Sequence, residues 1–214
     1  MIKNSGEFQS ILTSGLEAMG LSTLQAPTDR LLLFIEELIR WNKVYNLTAI
    51  RNPDDMIYKH ILDSLSIAER VKSRRYVLDV GTGAGLPGIP LALALPATHF
   101  TLLDSNHKKT RFIIHIVGKL SLTNVQVVCS RVEQFQPPYP YDLIVSRAYA
   151  SLAGFVTSTQ HLCKKDGRWL AMKGNRPEAE MNALNPEFMC TSHSLKVPAR
   201  IGERHAIEIQ TSLH

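Results

Sequence analysis

The residues best suited to chemistry form one run, Gly81-Thr82-Gly83-Ala84-Gly85-Leu86-Pro87-Gly88, with Asp79 just ahead of it and Asp104 downstream. A glycine-rich turn lets backbone amides approach a ligand closely, because no Cβ blocks the way and positive φ carries no steric penalty. Gly83, Gly85 and Gly88 satisfy the G-x-G-x-x-G spacing of dinucleotide sites. Asp104 stands about 20 residues on, where a ribose-binding acid is expected. A carboxylate there accepts hydrogen bonds from ribose hydroxyls. The expected ligand is a cofactor with a nucleoside end, and the loop by itself admits a nicotinamide or flavin dinucleotide as well as S-adenosylmethionine.

Other residues favour S-adenosylmethionine. Asp79 extends the loop to Asp-x-Gly-x-Gly-x-Gly, where a carboxylate can hold the turn or receive the ammonium of a methionine moiety. Ser130-Arg131-Val132-Glu133 follows the third expected strand, placing backbone and a carboxylate to meet an adenine edge. No convincing Ser-His-Asp or Cys-His constellation is present. His60, His99, His107 and His115 match no metal-ligand spacing, so no metal is expected. Cys129, Cys163 and Cys190 are too far apart for a disulfide framework or paired ligands and read as reduced core thiols.

A loop of this kind needs a strand before it and a helix after it, and the chain supplies both. From Tyr76 onward, short apolar runs alternate with helical stretches, the sequence form of repeated βαβ units. Strands are expected at Tyr76 to Val80, His99 to Leu103, Val125 to Cys129, Tyr141 to Ser146 and Arg168 to Lys173. Helices are expected at Pro87 to Leu95, Lys108 to Leu120 and Ser151 to Cys163, with Pro87 suited to a first helical turn. Thr191 to Val197 and His205 to Thr211 flank Pro198 to Glu203 and read as a hairpin. A parallel sheet that closes on a hairpin is expected of methyltransferases that use S-adenosylmethionine, and not of the usual dinucleotide order. The predicted fold is α/β, a doubly wound, mostly parallel, Rossmann-like sheet of the class I methyltransferase kind.

Upstream, apolar residues recur at helical spacing from Glu7 to Met19, Thr28 to Tyr45 and Asp54 to Val71. In the second stretch Leu31, Phe34, Ile35, Leu38, Trp41 and Tyr45 share a face, with Arg30, Glu36, Glu37 and Arg40 elsewhere. That Trp and Tyr read as core, not as a ligand platform, and Thr28 reads as the N-cap. The expected division is an N-terminal helical extension, residues 1–75, and a catalytic domain, residues 76–214.

Composition, with 44% hydrophobic and 20% charged residues, is that of an ordinary folded protein and argues against disorder. No apolar run approaches the roughly 18 residues of a membrane span, and residues 1–20 lack the apolar stretch of a signal peptide. The expected location is the cytoplasm. The net charge of +5 fits a polyanionic partner. Lys108, Lys109 and Arg111, with Lys164, Lys165, Arg168, Lys173 and Arg176, are expected to form a basic rim that contacts RNA.

Beyond these readings, Tyr45-Asn46-Leu47-Thr48, His60-Ile61-Leu62-Asp63-Ser64, Asp79 through Pro90, Leu103-Asp104-Ser105, Ser130 through Glu133, Ser146-Arg147-Ala148 and Lys173-Gly174 together resemble the bacterial glucose-inhibited division protein B family. The likeness runs in order from Tyr45 to Gly174 and departs at Ala84, where the family commonly has proline. It implies methylation of N7 of a guanosine in 16S ribosomal RNA, with 16S RNA or the small subunit as partner; separately, a monomer is expected. It also implies cofactor contacts at Gly81, Leu86, Val132, Glu133 and Arg147. Guanine N7 carries a lone pair and no proton, so such a reaction needs alignment and not a general base. A nicotinamide-dependent oxidoreductase and a non-catalytic RNA-binding module are the alternatives.

Overall fold

Val77 and Leu78 point to opposite faces of a strand, and both are buried, so the run from Tyr76 to Val80 belongs at the centre of a sheet covered on both sides. The computed structural model places it there. It describes residues 5–212 apart from 23, 25, 26, 148 and 150. Seven strands, β1 (Tyr76–Val80), β2 (His99–Asp104), β3 (Val125–Cys129), β4 (Tyr141–Ser146), β5 (Cys163–Lys173), β6 (Phe188–Ser194) and β7 (His205–Thr211), form one sheet in the order β3-β2-β1-β4-β5-β7-β6. The first five are parallel, and β7 runs antiparallel to both β5 and β6. The chain winds outward from β1 to β3 and then crosses back to β4. The crevice at the carboxyl ends of β1 and β4 is thus the switch point where open α/β sheets bind ligands.

The helices are α1 (Ser5–Met19), α2 (Thr28–Tyr45), α3 (Pro53–Met56), α4 (Asp63–Leu65), α5 (Ala68–Val71), α6 (Gly88–Ala94), α7 (His107–Lys119), α8 (Leu152–Thr159) and α9 (Glu178–Asn182). On one face of the sheet, Leu12, Phe34, Leu38 and Ile61 share a core with Val77, Leu102 and Phe112. On the other, Phe155 and Val156 pack with Leu78, Ile144, Trp169 and Ile207. Residues from both sides of Arg75 therefore belong to one continuous core. No helix among the described residues is long and apolar enough to cross a membrane.

Several local expectations are corrected. The helix expected from Asp54 to Val71 is broken: α3 passes into a π-helical segment, Ile57–Leu62, then α4, and the chain turns before α5. Widening the turn shifts the helical phase, which apolar spacing cannot reveal. Thr28 is the first helical residue, and Pro27 holds the N-cap position without a side-chain bond. Glu37, expected off the core face, is buried and bonds His115 at 2.9 Å and Lys119 at 2.8 Å. Tyr45 is not core; it is 41% exposed. Strand β5 starts at Cys163, earlier than expected, and β6 at Phe188. All three cysteines are free, but Cys129 is exposed and Cys163 and Cys190 are half-buried, because β3 and β6 are edge strands and Cys163 opens β5.

Candidate active site

Strand β1 delivers Asp79 and the glycine loop to the switch point. Gly81, Gly83 and Gly85 all have positive φ, at 67°, 62° and 84°, so the turn needs glycine there. A Cβ on Gly81 would meet nothing within 4 Å, which leaves open space over the loop. Gly88 serves close approach instead: a Cβ there would stand 2.1 Å from Leu102 Cδ2 and 2.8 Å from Asp79 Oδ2.

Of the two roles offered for Asp79, holding the turn is visible in its hydrogen bonds. Its Oδ2 accepts hydrogen bonds from Thr82 Oγ1 at 2.7 Å and from the Gly88 amide at 2.9 Å. The residue is fully buried, and among the described residues Oδ1 has no partner. Asp79 holds the turn. Burial pushes its carboxyl up to about 6, against the pull of the two hydrogen bonds.

Asp104 ends β2 and is nearly buried. Its Oδ2 accepts the Gly83 amide at 2.9 Å and its Oδ1 the Asn106 amide at 2.8 Å. A carboxylate has about four acceptor positions, so lone pairs remain for two ribose hydroxyls. Asp104, Gly81, Val132 and Glu133 line a cleft of about 330 Å³ with Val80, Leu103, Ser130, Arg131 and Lys109. These residues fit a nucleoside: diol acceptor at Asp104, open backbone at Gly81, and a backbone–carboxylate edge at Val132 and Glu133. Asp79, Gly83, Gly85 and Leu86 do not line this cleft and shape the loop beneath it.

A second cleft, of about 270 Å³, opens on the other side of the switch point. Arg147, Met172, Lys173, Gly174 and Arg204 line it from the sheet's carboxyl edge, and Ile50, Lys59, His60 and Asp63 line it from the N-terminal helices. Arg147 therefore lines this cleft, with its charge acting on Asp79 of the glycine loop. Its Nη1 donates to the Lys59 carbonyl at 3.0 Å and lies 3.7 Å from Asp63 Oδ2, while Arg204 Nε donates to Asp63 Oδ1 at 2.9 Å. Burial lifts the Asp63 carboxyl above its usual range, with the two guanidinium groups opposing.

His60 is tied at both ring nitrogens: Nδ1 donates to the Lys59 carbonyl at 3.1 Å, and Nε2 accepts from Thr48 Oγ1 at 2.9 Å. Thr48 Oγ1 itself accepts the Ile50 amide at 3.2 Å, which leaves its hydroxyl proton for the ring. Burial and the Arg147 charge hold His60 down at about 4, so the ring is neutral at physiological pH. Sequence reasoning gave no role to His60, Asp63, Thr48 or Arg204. For His60, Asp63 and Thr48 the signal was their place in the Asn46-Leu47-Thr48 and His60-to-Ser64 motifs; Arg204 had none. Ala148, of the motif Ser146-Arg147-Ala148, lies outside the described residues.

The expected basic rim is only partly assembled. Lys109 lines the nucleoside cleft, Lys108 and Arg111 are exposed on α7, and Lys173 lines the second cleft and pairs with Glu180 at 3.0 Å. Lys164, Lys165 and Arg168 lie toward the opposite edge, because β5 enters the sheet there. Lys164 pairs with Asp142, beside Tyr76 at the start of β1, and Arg168 pairs with Glu208. Arg176 lies past β5 and faces Glu178 at 3.7 Å. Cys129 Sγ lies 3.2 Å from His107 Nδ1, a pair the sequence did not reveal. No metal-binding group of three or more His, Cys, Asp or Glu occurs among the described residues.

Comparison with known proteins agrees with the fold. Solved structures with the same fold include TrmN from Thermus thermophilus, with a TM-score of 0.56 and 18% identity over 71% of this chain and 48% of that one. Another is a SAM-dependent methyltransferase from Aquifex aeolicus, with a TM-score of 0.51 and 18% identity over 70% of this chain and 93% of that one. In sequence, the chain is 46% identical over 204 residues to the Ribosomal RNA small subunit methyltransferase G of Ectopseudomonas mendocina, covering 94% of this chain and 95% of the relative. It is 48% identical over 198 residues to the protein of that name from Stutzerimonas stutzeri, covering 92% of each. The model of the GidB family, rRNA small subunit methyltransferase G, matches residues 28–207, and the chain belongs to that family.

Proposed function

We propose that this chain transfers the methyl group of S-adenosylmethionine to N7 of a guanosine in 16S ribosomal RNA, acting as a monomer in the cytoplasm. The observation that carries the reading is the pair of clefts flanking one switch point: one lined by Gly81, Asp104, Val132 and Glu133, the other by Arg147, His60 and Asp63. Family membership supports it. S-adenosylmethionine supplies, when bound, an electrophilic methyl carbon on a sulfonium centre.

The chain's own work is alignment. Asp104 holds ribose hydroxyls while its two backbone bonds keep the loop rigid, and the second cleft presents the purine. Guanine N7 has a free lone pair, so no residue needs to remove a proton. His60, engaged at both nitrogens and neutral, is a strut for the cleft wall and not a base. The purine becomes cationic as the methyl transfers. Arg147, Lys173 and Arg204 then suit the phosphates that flank the base.

The test is incorporation of labelled methyl groups into purified small subunits, free 16S RNA and large subunits. Label in small-subunit RNA alone is expected. Label in large-subunit RNA, or none anywhere from a protein that binds the cofactor, contradicts the reading.

A further inference from the structure

Tyr45 carries more than its place on α2 requires. The helix ends there, and its ring is 41% exposed next to Val44 at 70%. The ring packs on Trp41 at 5.3 Å between centroids, and Trp41 is wedged against Phe112 at 5.5 Å and His115 at 5.2 Å. Glu37, two turns back, meets His115 and Lys119. Residues 37, 41 and 45 follow one another at one-turn spacing, and the α7 partners of the first two descend from Lys119 and His115 to Phe112, toward the turn that carries Lys108 and Arg111. That turn begins just after Asp104 and its bond to Asn106. On the other side, Asn46 takes a left-handed conformation and accepts from Arg51 at 3.2 Å. The chain then enters the second cleft at Ile50. Tyr45 therefore ends a helix whose partner α7 supplies Lys109 to the nucleoside cleft and whose following loop supplies Ile50 to the second cleft.

The charge around it is one-signed. From Leu38 to Pro53 the chain holds Arg40, Lys43 and Arg51 and no acid; from Ser105 to Val132 it holds Lys108, Lys109, Arg111, Lys119 and Arg131 and no acid. These are the two stretches that α2 and α7 lay side by side. An exposed aromatic side chain on a packed support, on a stretch of chain that holds cations and no carboxylates, has the composition of a single-strand nucleic-acid platform.

We propose that Tyr45 stacks an unpaired base adjoining the methylated nucleotide, with Arg51, Lys108 and Arg111 on the neighbouring phosphates. This rests on the methyltransferase reading, and it gives the N-terminal extension a share in substrate binding.

The test uses the full-length protein with small-subunit RNA. In Tyr45→Leu, which keeps an apolar body against Trp41, KM for RNA rises about fivefold to a hundredfold, the range of one lost base stack. Turnover and cofactor affinity stay at wild-type values, and Tyr45→Phe restores KM. Replacing Lys108 and Arg111 with Gln, both exposed and indifferent to folding, flattens the salt dependence of RNA binding by roughly 0.7 in log–log slope per contact. Unchanged KM in Tyr45→Leu, a Tyr45→Phe enzyme as impaired as the Leu variant, or an equal slope change in Lys165→Gln on the opposite edge would overturn the proposal. Direct RNA binding keeps it separate from the parent reading. A wild-type protein that binds RNA through Tyr45 yet transfers no methyl contradicts the activity and leaves the platform standing.

Discussion

Asp104 shows how one side chain couples loop geometry to ligand binding. Its two oxygens accept the Gly83 and Asn106 amides and still face the cleft. Asp104→Ala is expected to weaken S-adenosylmethionine binding about tenfold to a hundredfold, the scale of lost charge-assisted hydrogen bonds. Calorimetric titration checks this, and a rate defect with unchanged affinity would contradict the role. Asp79 and His60 make opposite demands on pH. The Asp79 carboxyl is raised to about 6 in the fold, so its contribution is largest at low pH and declines as pH rises from about 4 to 6. The His60 ring is lowered to about 4, so its contribution is full above about 6.5 and lost as pH falls toward 4. The two slopes offset in the wild type. Asp79→Asn removes one of them, and urea unfolding should then show stability that climbs from pH 4 to 6.5 more steeply than the wild type. Parallel profiles for the two proteins would refute the assignment.

The glycine loop was legible as an element because its spacing is local: Asp79, Gly81, Gly83, Gly85 and Asp104 sit where a strand–turn–helix must put them. Gly88 adds a packing constraint that spacing alone does not show. Gly88→Ala is expected to force α6 away from β2 and Asp79, at roughly 1–3 kcal/mol of stability, the usual cost of overpacking. Thermal unfolding measures it, and a neutral result would mean that Leu102 yields freely. The second cleft was not legible in the same way. Its wall joins Lys59 and His60 to Arg147, 88 and 87 positions apart in the chain, through a π-helical turn that helical periodicity does not report. Tyr45 was misread for a related reason. It keeps the period of the buried stripe, but it is the last residue of α2, where it packs on Trp41 and stays 41% exposed.

At the scale of the molecule, strand direction decides which charges serve the site. The eleven residues of β5 carry Lys164 and Lys165 to one edge of the sheet and Lys173 to the other, so a cluster of basic residues in sequence becomes two separate surfaces. The parallel run and the antiparallel closure were readable from the alternation of short apolar and helical segments, because each βαβ unit is nearly local; the strand order, with β7 set between β5 and β6, was not. The shared core between the N-terminal helices and the sheet was not, since it joins segments that only tertiary packing brings together. The central claim is that this architecture aligns a methyl carbon with guanine N7 and needs no base. Digestion of methyl-labelled 16S RNA and identification of the labelled nucleoside test it most directly. The account predicts 7-methylguanosine; label at a guanine N1 or N2, whose proton must be removed, or in a pyrimidine would contradict it.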